Sequence, residues 1–152
     1  MRNEESGINR ELRLLKEKMI SNGYRLTNQR LDIAKWALET HEHFSVDDLL
    51  FSFRKKDIRL STATVYRVVQ MLLELGFLIE HDFGKGQKFF EHIIGHPRHE
   101  HFICDSCGRV LEFSSDKLAE IKNDISTKYH VVINNHSLKF FGFCDKCRKQ
   151  SV

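Results

Sequence analysis

The 152 residues carry 24 Lys+Arg against 21 Asp+Glu, a formal net charge of +3, with one proline, eight glycines and four cysteines. A chain of this length builds one compact domain or two small ones with modest cores, and so small a charge excess does not by itself identify a polyanionic partner. The polar start, Met1-Arg-Asn-Glu-Glu-Ser-Gly, has no apolar run behind it, which argues against a secretory signal or a membrane span and for a cytoplasmic protein.

Leu12, Leu15 and Met19 recur at helical spacing among charges over residues 10 to 22, and Gly23 follows as a stop, so a short amphipathic helix is predicted there. Thr27 caps a second helix carrying Ile33, Ala34, Trp36 and Ala37. Ser45 with Asp48 three residues on forms a capping box for a third, which buries Val46, Leu49, Leu50 and Phe53. Ser61 opens a fourth. Its apolar stripe is Val65, Val68, Val69, Leu72 and Leu73, which leaves Thr62, Thr64, Tyr66, Arg67 and Gln70 on other faces, and Gly76 ends it. Two β-like runs, residues 77 to 83 and 88 to 92, flank the turn Gly84-Lys85-Gly86-Gln87 and predict a hairpin.

Helices, a polar-faced helix and a basic hairpin in this order predict a winged helix-turn-helix. The fourth helix can enter a major groove, where Thr, Tyr, Arg and Gln side chains reach base edges and phosphates, while the hairpin lays Lys85 and Lys88 along the backbone. An ordinary solvated helix face is the other reading of the same residues.

Gly95 and Pro97 interrupt any pattern over residues 93 to 98, which read as a linker between a DNA-binding domain, 1 to 92, and a second domain, 99 to 152. The second domain is predicted to contain strands near 101 to 104, 110 to 113, 131 to 133 and 138 to 143, and a helix from about Asp116 with Leu118, Ile121 and Ile125 on one face. The fold class is thus α+β. A small sheet of this kind leaves edges that a second copy would cover, so a homodimer is expected.

All four cysteines lie in Cys104-Asp-Ser-Cys107 and Cys144-Asp-Lys-Cys147, and His96, His99 and His101 lead into the first pair. The two-residue spacer lets both sulfurs of a pair point at one ion, so the four thiolates can close a tetrahedron around one structural zinc per chain. Two disulfides are the alternative, and they require an oxidising compartment.

Taken together, Gly23-Tyr-Arg-Leu-Thr-Asn-Gln-Arg30, Ser61-Thr-Ala-Thr-Val-Tyr-Arg67, His99-Glu-His101, Cys104-x-x-Cys107-Gly108, Asn135-His-Ser-Leu138 and Gly142-Phe-Cys-x-x-Cys147 resemble the ferric uptake regulator (Fur) family of bacterial metal-dependent transcription factors. The resemblance runs in order from about residue 12 to 149. It implies a homodimeric repressor of metal-uptake genes on double-stranded DNA with A/T-rich inverted repeats, built from an amino-terminal winged helix and a carboxy-terminal α/β dimerisation domain. It also implies structural zinc on Cys104, Cys107, Cys144 and Cys147, and a sensing site at the hinge from His43, Glu91, His99 and His101, with Glu112 as a further carboxylate. Such nitrogen and oxygen donors suit ferrous iron, manganese, zinc or nickel. An ion held by both domains would fix their relative orientation.

Some members carry an additional metal site, of which Glu100 and His136 match here. Arg98 replaces its first histidine and Ala119 stands near its helix acid, with His96 and Glu120 as possible substitutes. For DNA contacts the family suggests Tyr66 and Arg67 on the recognition helix, Arg25 in the minor groove, and Arg30, Lys85 and Lys88 on phosphates. His41, His81, His92 and His130 are expected to be surface or packing residues. Zinc sensors of the family use a sensing-site cysteine, and none is left here. Peroxide sensors carry aspartate where this chain has Glu91, so Fe2+ or Mn2+ and an iron signal are expected, with a peroxide-sensing or other divalent-metal regulator as the alternative. A metal-dependent enzyme is the distant alternative, and the sequence offers it neither a substrate cleft nor a separate general base.

Overall fold

Three of the first four helices begin on a side-chain cap. After α1 (Gly7–Ser21), Thr27 accepts from the Arg30 amide to open α2 (Asn28–Glu39), Ser45 and Asp48 form a reciprocal capping box at α3 (Val46–Arg54), and Ser61 accepts from the Thr64 amide at α4 (Thr62–Glu74). Each cap satisfies amides that the first helical turn leaves without an intrahelical partner. The structure, a computed structural model, describes residues 7–84, 86–95 and 99–149. Lys85 and His96, both singled out in the sequence, lie outside them, as do Pro97 and Arg98. The chain divides into two compact units, Met1–His96 and Pro97–Val152.

In the first unit the apolar stripes of the four helices meet. Leu15, Met19, Ile33, Ala34, Leu49, Val65 and Leu72 are fully buried in one cluster. Burying each of the larger side chains contributes on the order of 1.5–3 kcal/mol. Gly76, at φ 78, makes the left-handed turn out of α4 and lets the Phe77 amide reach back to the Leu72 carbonyl at 2.9 Å. The chain then forms β1 (Leu78–Asp82) and β2 (Lys88–His92), an antiparallel hairpin in which Leu78 faces His92 and Asp82 faces Lys88. Phe44 joins it by bonds in both directions with Phe90, 3.0 and 2.7 Å. That bridge sets His43 beside the second hairpin strand.

The second unit is a three-stranded sheet in the order β4-β3-β5. β3 (Glu100–Cys104) pairs antiparallel with β4 (Val110–Phe113) and parallel with β5 (Lys139–Gly142). α5 (Lys117–Tyr129) lies between β4 and β5 in sequence and ends at His130, which takes a left-handed φ of 53. One expectation is corrected here. Residues 131 to 133 form no strand; a strand exists only with a partner, these residues pair with none of β3, β4 and β5, and Val132 stands 86% exposed. The α5 helix has no buried residue, and Ile121 and Ile125 of its apolar face are exposed in the single chain. The apolar residues the unit does bury are Ile103, Cys104, Cys144 and Cys147, with Phe102 packed against the cysteines, and Glu100 and His101 of β3 are buried as well. So small an interior depends on its cysteines. Among the described residues, no helix is long and apolar enough to cross a membrane.

Candidate metal centres and nucleic-acid face

The two Cys-x-x-Cys knuckles sit at the ends of β3 and β5, which the parallel pairing of Cys104 with Gly142 brings level. One sulfur from each of Cys104, Cys107, Cys144 and Cys147 lies within 4.8 Å of all the others, and none is in a disulfide. The Cys107 and Cys144 sulfurs are 3.8 Å apart. A tetrahedron with Zn–S bonds of about 2.3 Å has an edge of about 3.8 Å, so the spacing fits one zinc ion. The backbone prepares the thiolates. Amides of Cys107 and then Cys144 draw the Cys104 thiol down to about 6. Cys147 goes the other way, up to about 11: the hydrogen bond with Ser106 lowers it, but those with Cys144 and Cys107, burial, and Cys104 together raise it by more. Gly108, at φ 72, closes the first knuckle by donating to the Cys104 carbonyl at 2.8 Å, and Arg109 spans to Asp145 of the second at 3.0 Å.

In the first unit, His43, His81 and Glu91 come together. The Glu91 carboxylate oxygen Oε2 lies 2.6 Å from His81 Nε2 and 3.4 Å from His43 Nε2. His81 and Glu91 are buried and His43 is half-buried. In the second unit, His99 Nε2 lies 3.3 Å from Glu112 Oε1, the His99 and His101 rings are 5.3 Å apart, and Glu112 faces His101 across the β3–β4 ladder. Each group is a cluster of imidazole and carboxylate without a thiolate, the donor chemistry of ferrous iron, manganese or zinc. Glu100 and His136 also meet, Oε1 to Nε2 at 2.5 Å, while the second Glu100 oxygen accepts from the Leu138 amide at 3.2 Å. That pair ties the approach to β5 onto β3. Two ligand groups are too few for an ion without a third.

The predicted DNA face belongs to the first unit. Arg25, Arg30, Thr64 and Arg67 line one concavity of about 350 Å³ together with Thr27, Gln29 and Val68. A second concavity, of about 460 Å³, shares Arg30 and Arg67 and adds Tyr66, Gln70 and Tyr24. Thr62, Tyr66 and Arg67 are exposed on α4. Arg30 is partly engaged, donating from Nη1 to the Arg25 carbonyl at 2.8 Å, and the Lys88 ammonium pairs with Glu80 across the hairpin at 3.0 Å. Arg25, Arg30 and Arg67 thus line adjoining concavities, while Lys88 on the wing sits in an exposed ion pair with Glu80.

Residues 21–141 match the model of the ferric uptake regulator family. The chain belongs to the Fur family. It is similar to the ferric uptake regulation protein of Vibrio parahaemolyticus, with 35% identity over 123 residues, which cover 80% of this chain and 82% of that protein. Among solved structures it resembles the Helicobacter pylori ferric uptake regulator, described as having three functional metal binding sites, with a TM-score of 0.81, 26% identity and coverage of 94% and 95%. It also resembles a zinc uptake regulator complexed with zinc and DNA, with a TM-score of 0.54, 25% identity and coverage of 97% and 99%. Membership makes the chain a metal-responsive regulator and not an enzyme.

Two histidines that the sequence left as surface or packing residues prove to be buried beside acids in this Fur-family chain. His81 meets Glu91, and His92 Nε2 lies 2.9 Å from Glu11 Oε2 of α1. For His81 the signal lay in the hairpin register. Ile79 faces Glu91 and His81 faces Phe89, so His81 and Glu91 are diagonal neighbours on one face of the ribbon.

Proposed function

We propose that the protein is a cytoplasmic, homodimeric repressor that binds A/T-rich inverted-repeat operators when Fe2+ or Mn2+ occupies a sensing site made by His43, Glu91, His99, His101 and Glu112. One zinc per chain on Cys104, Cys107, Cys144 and Cys147 stabilises the second unit. The observation that carries this reading is the division of the ligands. One thiolate-free histidine-carboxylate cluster belongs to the unit with the helix-turn-helix, and another belongs to the three-stranded sheet. An ion that takes ligands from both selects one arrangement of the units, and a dimer reads a two-fold repeat only when its recognition helices are set at the repeat's spacing. When bound, the ion supplies this conformational bias and no chemistry on DNA.

Arg25, Arg30, Thr62, Thr64, Tyr66 and Arg67 are the proposed DNA contacts, with Lys85 and Lys88 on the wing. The exposed apolar surface of the second unit supports dimerisation. Ile121, Tyr129, Val132, Phe140, Phe141 and Phe143 are each more than half exposed in the single chain, and such a surface asks for a partner. Glu91 in place of aspartate favours an iron signal over peroxide. An additional ion at Glu100 and His136 would need a further ligand, for which His96 and Glu120 are the candidates.

The test is anaerobic fluorescence anisotropy on an A/T-rich inverted repeat with the zinc retained, titrated in parallel with ferrous iron, manganese and zinc. Tighter DNA binding at lower iron or manganese than added zinc is expected. Arg67→Ala should weaken DNA binding with metal content unchanged, and His99→Ala should abolish metal activation while the protein keeps one zinc. No metal response on this duplex or on genomic fragments sinks the sensing reading.

A further inference from the structure

His81 is buried against Glu91, and the sensing reading above gives it no task. We propose that His81 is a direct ligand of the regulatory metal, so that His43, His81 and Glu91 form a three-ligand site for a divalent first-row cation held wholly by the DNA-binding unit. The inference rests on the sensing reading and deepens it: capture of the ion begins on the winged helix, and the histidines of the other unit complete the coordination.

The geometry comes from three separate backbone devices. The hairpin register sets His81 and Glu91 on one face, and the Phe44–Phe90 bridge delivers His43 to the residue next to Glu91 on β2. Both Nε2 atoms converge on the same carboxylate oxygen, at 2.6 and 3.4 Å, and one ligand atom from each of the three residues lies within 4.8 Å of the others. Phe83 fixes the rings. His81 stacks on it with centroids 5.4 Å apart at 9°, and His43 meets it edge-on at 5.2 Å and 84°. Imidazoles held in this way lose little freedom when they bind.

Electrostatics points the same way. Burying the Glu91 carboxylate is costly unless it is paired, and a cation between the three groups would offset that cost. Two histidines and one carboxylate with open positions are the donor set of facial ferrous sites, and they leave room for further ligands. The competing role is that of a positioning residue, in which His81 only donates a hydrogen bond that orients Glu91. The two roles differ in size. Losing an outer partner costs roughly 10–100-fold in metal affinity, and losing a ligand from a three-ligand site costs more.

The experiment uses the full chain with zinc kept on the four cysteines and Co2+ as the probe, read by its ligand-field absorption, with Mn2+ binding measured by EPR. The variant carrying His99→Ala and His101→Ala should still bind one Co2+ per chain, more weakly than wild type. Adding His81→Ala should then weaken it more than about 100-fold. His81→Gln, which keeps a side-chain donor toward Glu91, should not rescue it. Zinc content and Trp36 emission report whether each variant is folded. Rescue by Gln to within about tenfold overturns the ligand role in favour of positioning. So does a His81→Ala protein with the wild-type spectrum and affinity, or a His99→Ala, His101→Ala protein that binds no Co2+ while wild type does. If wild type itself takes up no second metal, the sensing reading fails and takes this inference with it.

Discussion

Ser45→Ala removes two of the three hydrogen bonds that join Ser45 to Asp48 at the start of α3. Oγ no longer accepts from the Asp48 amide at 3.2 Å or donates to Asp48 Oδ2 at 2.6 Å, and the Ser45 amide keeps its 2.8 Å bond to the same oxygen. Loss of the cap costs about 1 kcal/mol and loss of the bond to the carboxylate adds to it, so about 1–3 kcal/mol is expected. Asp48→Ala leaves the buried Ser45 amide without its partner and costs a similar amount, about 1–3 kcal/mol. Both substitutions delete the Oγ–Oδ2 bond, so the sum of the single effects counts it twice. The double variant should therefore lose about 1 kcal/mol less than that sum. Trp36, the chain's single tryptophan, reports the unfolding in urea. Its indole donates to Ser52 of α3 at 2.7 Å and meets Phe44 edge-on at 5.1 Å, so its emission follows the α2–α3 packing. Equal m-values across the four proteins are required for the comparison. Additivity within about 0.3 kcal/mol would refute the shared bond.

Cys104→Ser should release the zinc and remove hydrogen-exchange protection from β3 and β5 while Trp36 emission stays unchanged; a variant that keeps one zinc per chain contradicts the four-thiolate site. The Tyr24 hydroxyl donates to Glu74, and this bond, with a second from Gln70, holds the Glu74 carboxyl below its ordinary 4.5, while the carboxylate raises Tyr24 above 10.0. The depressed acid contributes stability above 4.5 that is lost as pH falls through its folded value, and the raised phenol contributes stability below 10.0 that is lost as pH rises through its own. In Tyr24→Phe, carbon-13 NMR of the Glu74 carboxylate should show its titration moving up toward 4.5; an unmoved midpoint discards the hydrogen bond as the cause. Phe140→Glu puts a charge on an apolar surface that is 52% exposed in the single chain, and sedimentation equilibrium should show a weaker dimer; an unchanged association constant takes Phe140 out of the interface.

What was legible in the sequence was local. The caps at Thr27, Ser45 and Ser61 each act within three residues, and the Cys-x-x-Cys spacing is itself the geometry of a knuckle. What depended on distant pairing was not legible. Residues 131 to 133 have strand composition and no partner, and the parallel β3–β5 ladder leaves no trace in either segment alone. His81 was missed for a related reason. A four-residue turn at 84 to 87 pairs Phe83 with Lys88 and sends His81 and Glu91 to opposite faces, but the observed register pairs Asp82 with Lys88. One residue of register flips every side chain of a strand, and here it decides whether a histidine is packing or part of a cluster.

The level ends of β3 and β5 also bear on how fast each unit is made. Cys107 and Cys144 stand 37 positions apart. Closing a chain segment of that length costs about 4 kcal/mol of entropy before a single rung of the parallel ladder can form. In the first unit the β1–β2 hairpin and the successive helices meet neighbours close in sequence, and such contacts form early, while the Phe44–Phe90 bridge and the Tyr24–Glu74 bond close longer segments. An ion that joins the knuckles shortens the search for the second unit and leaves the first untouched. If zinc fills the four thiolates as proposed, its supply would set the pace at which the second unit of the newly made chain matures.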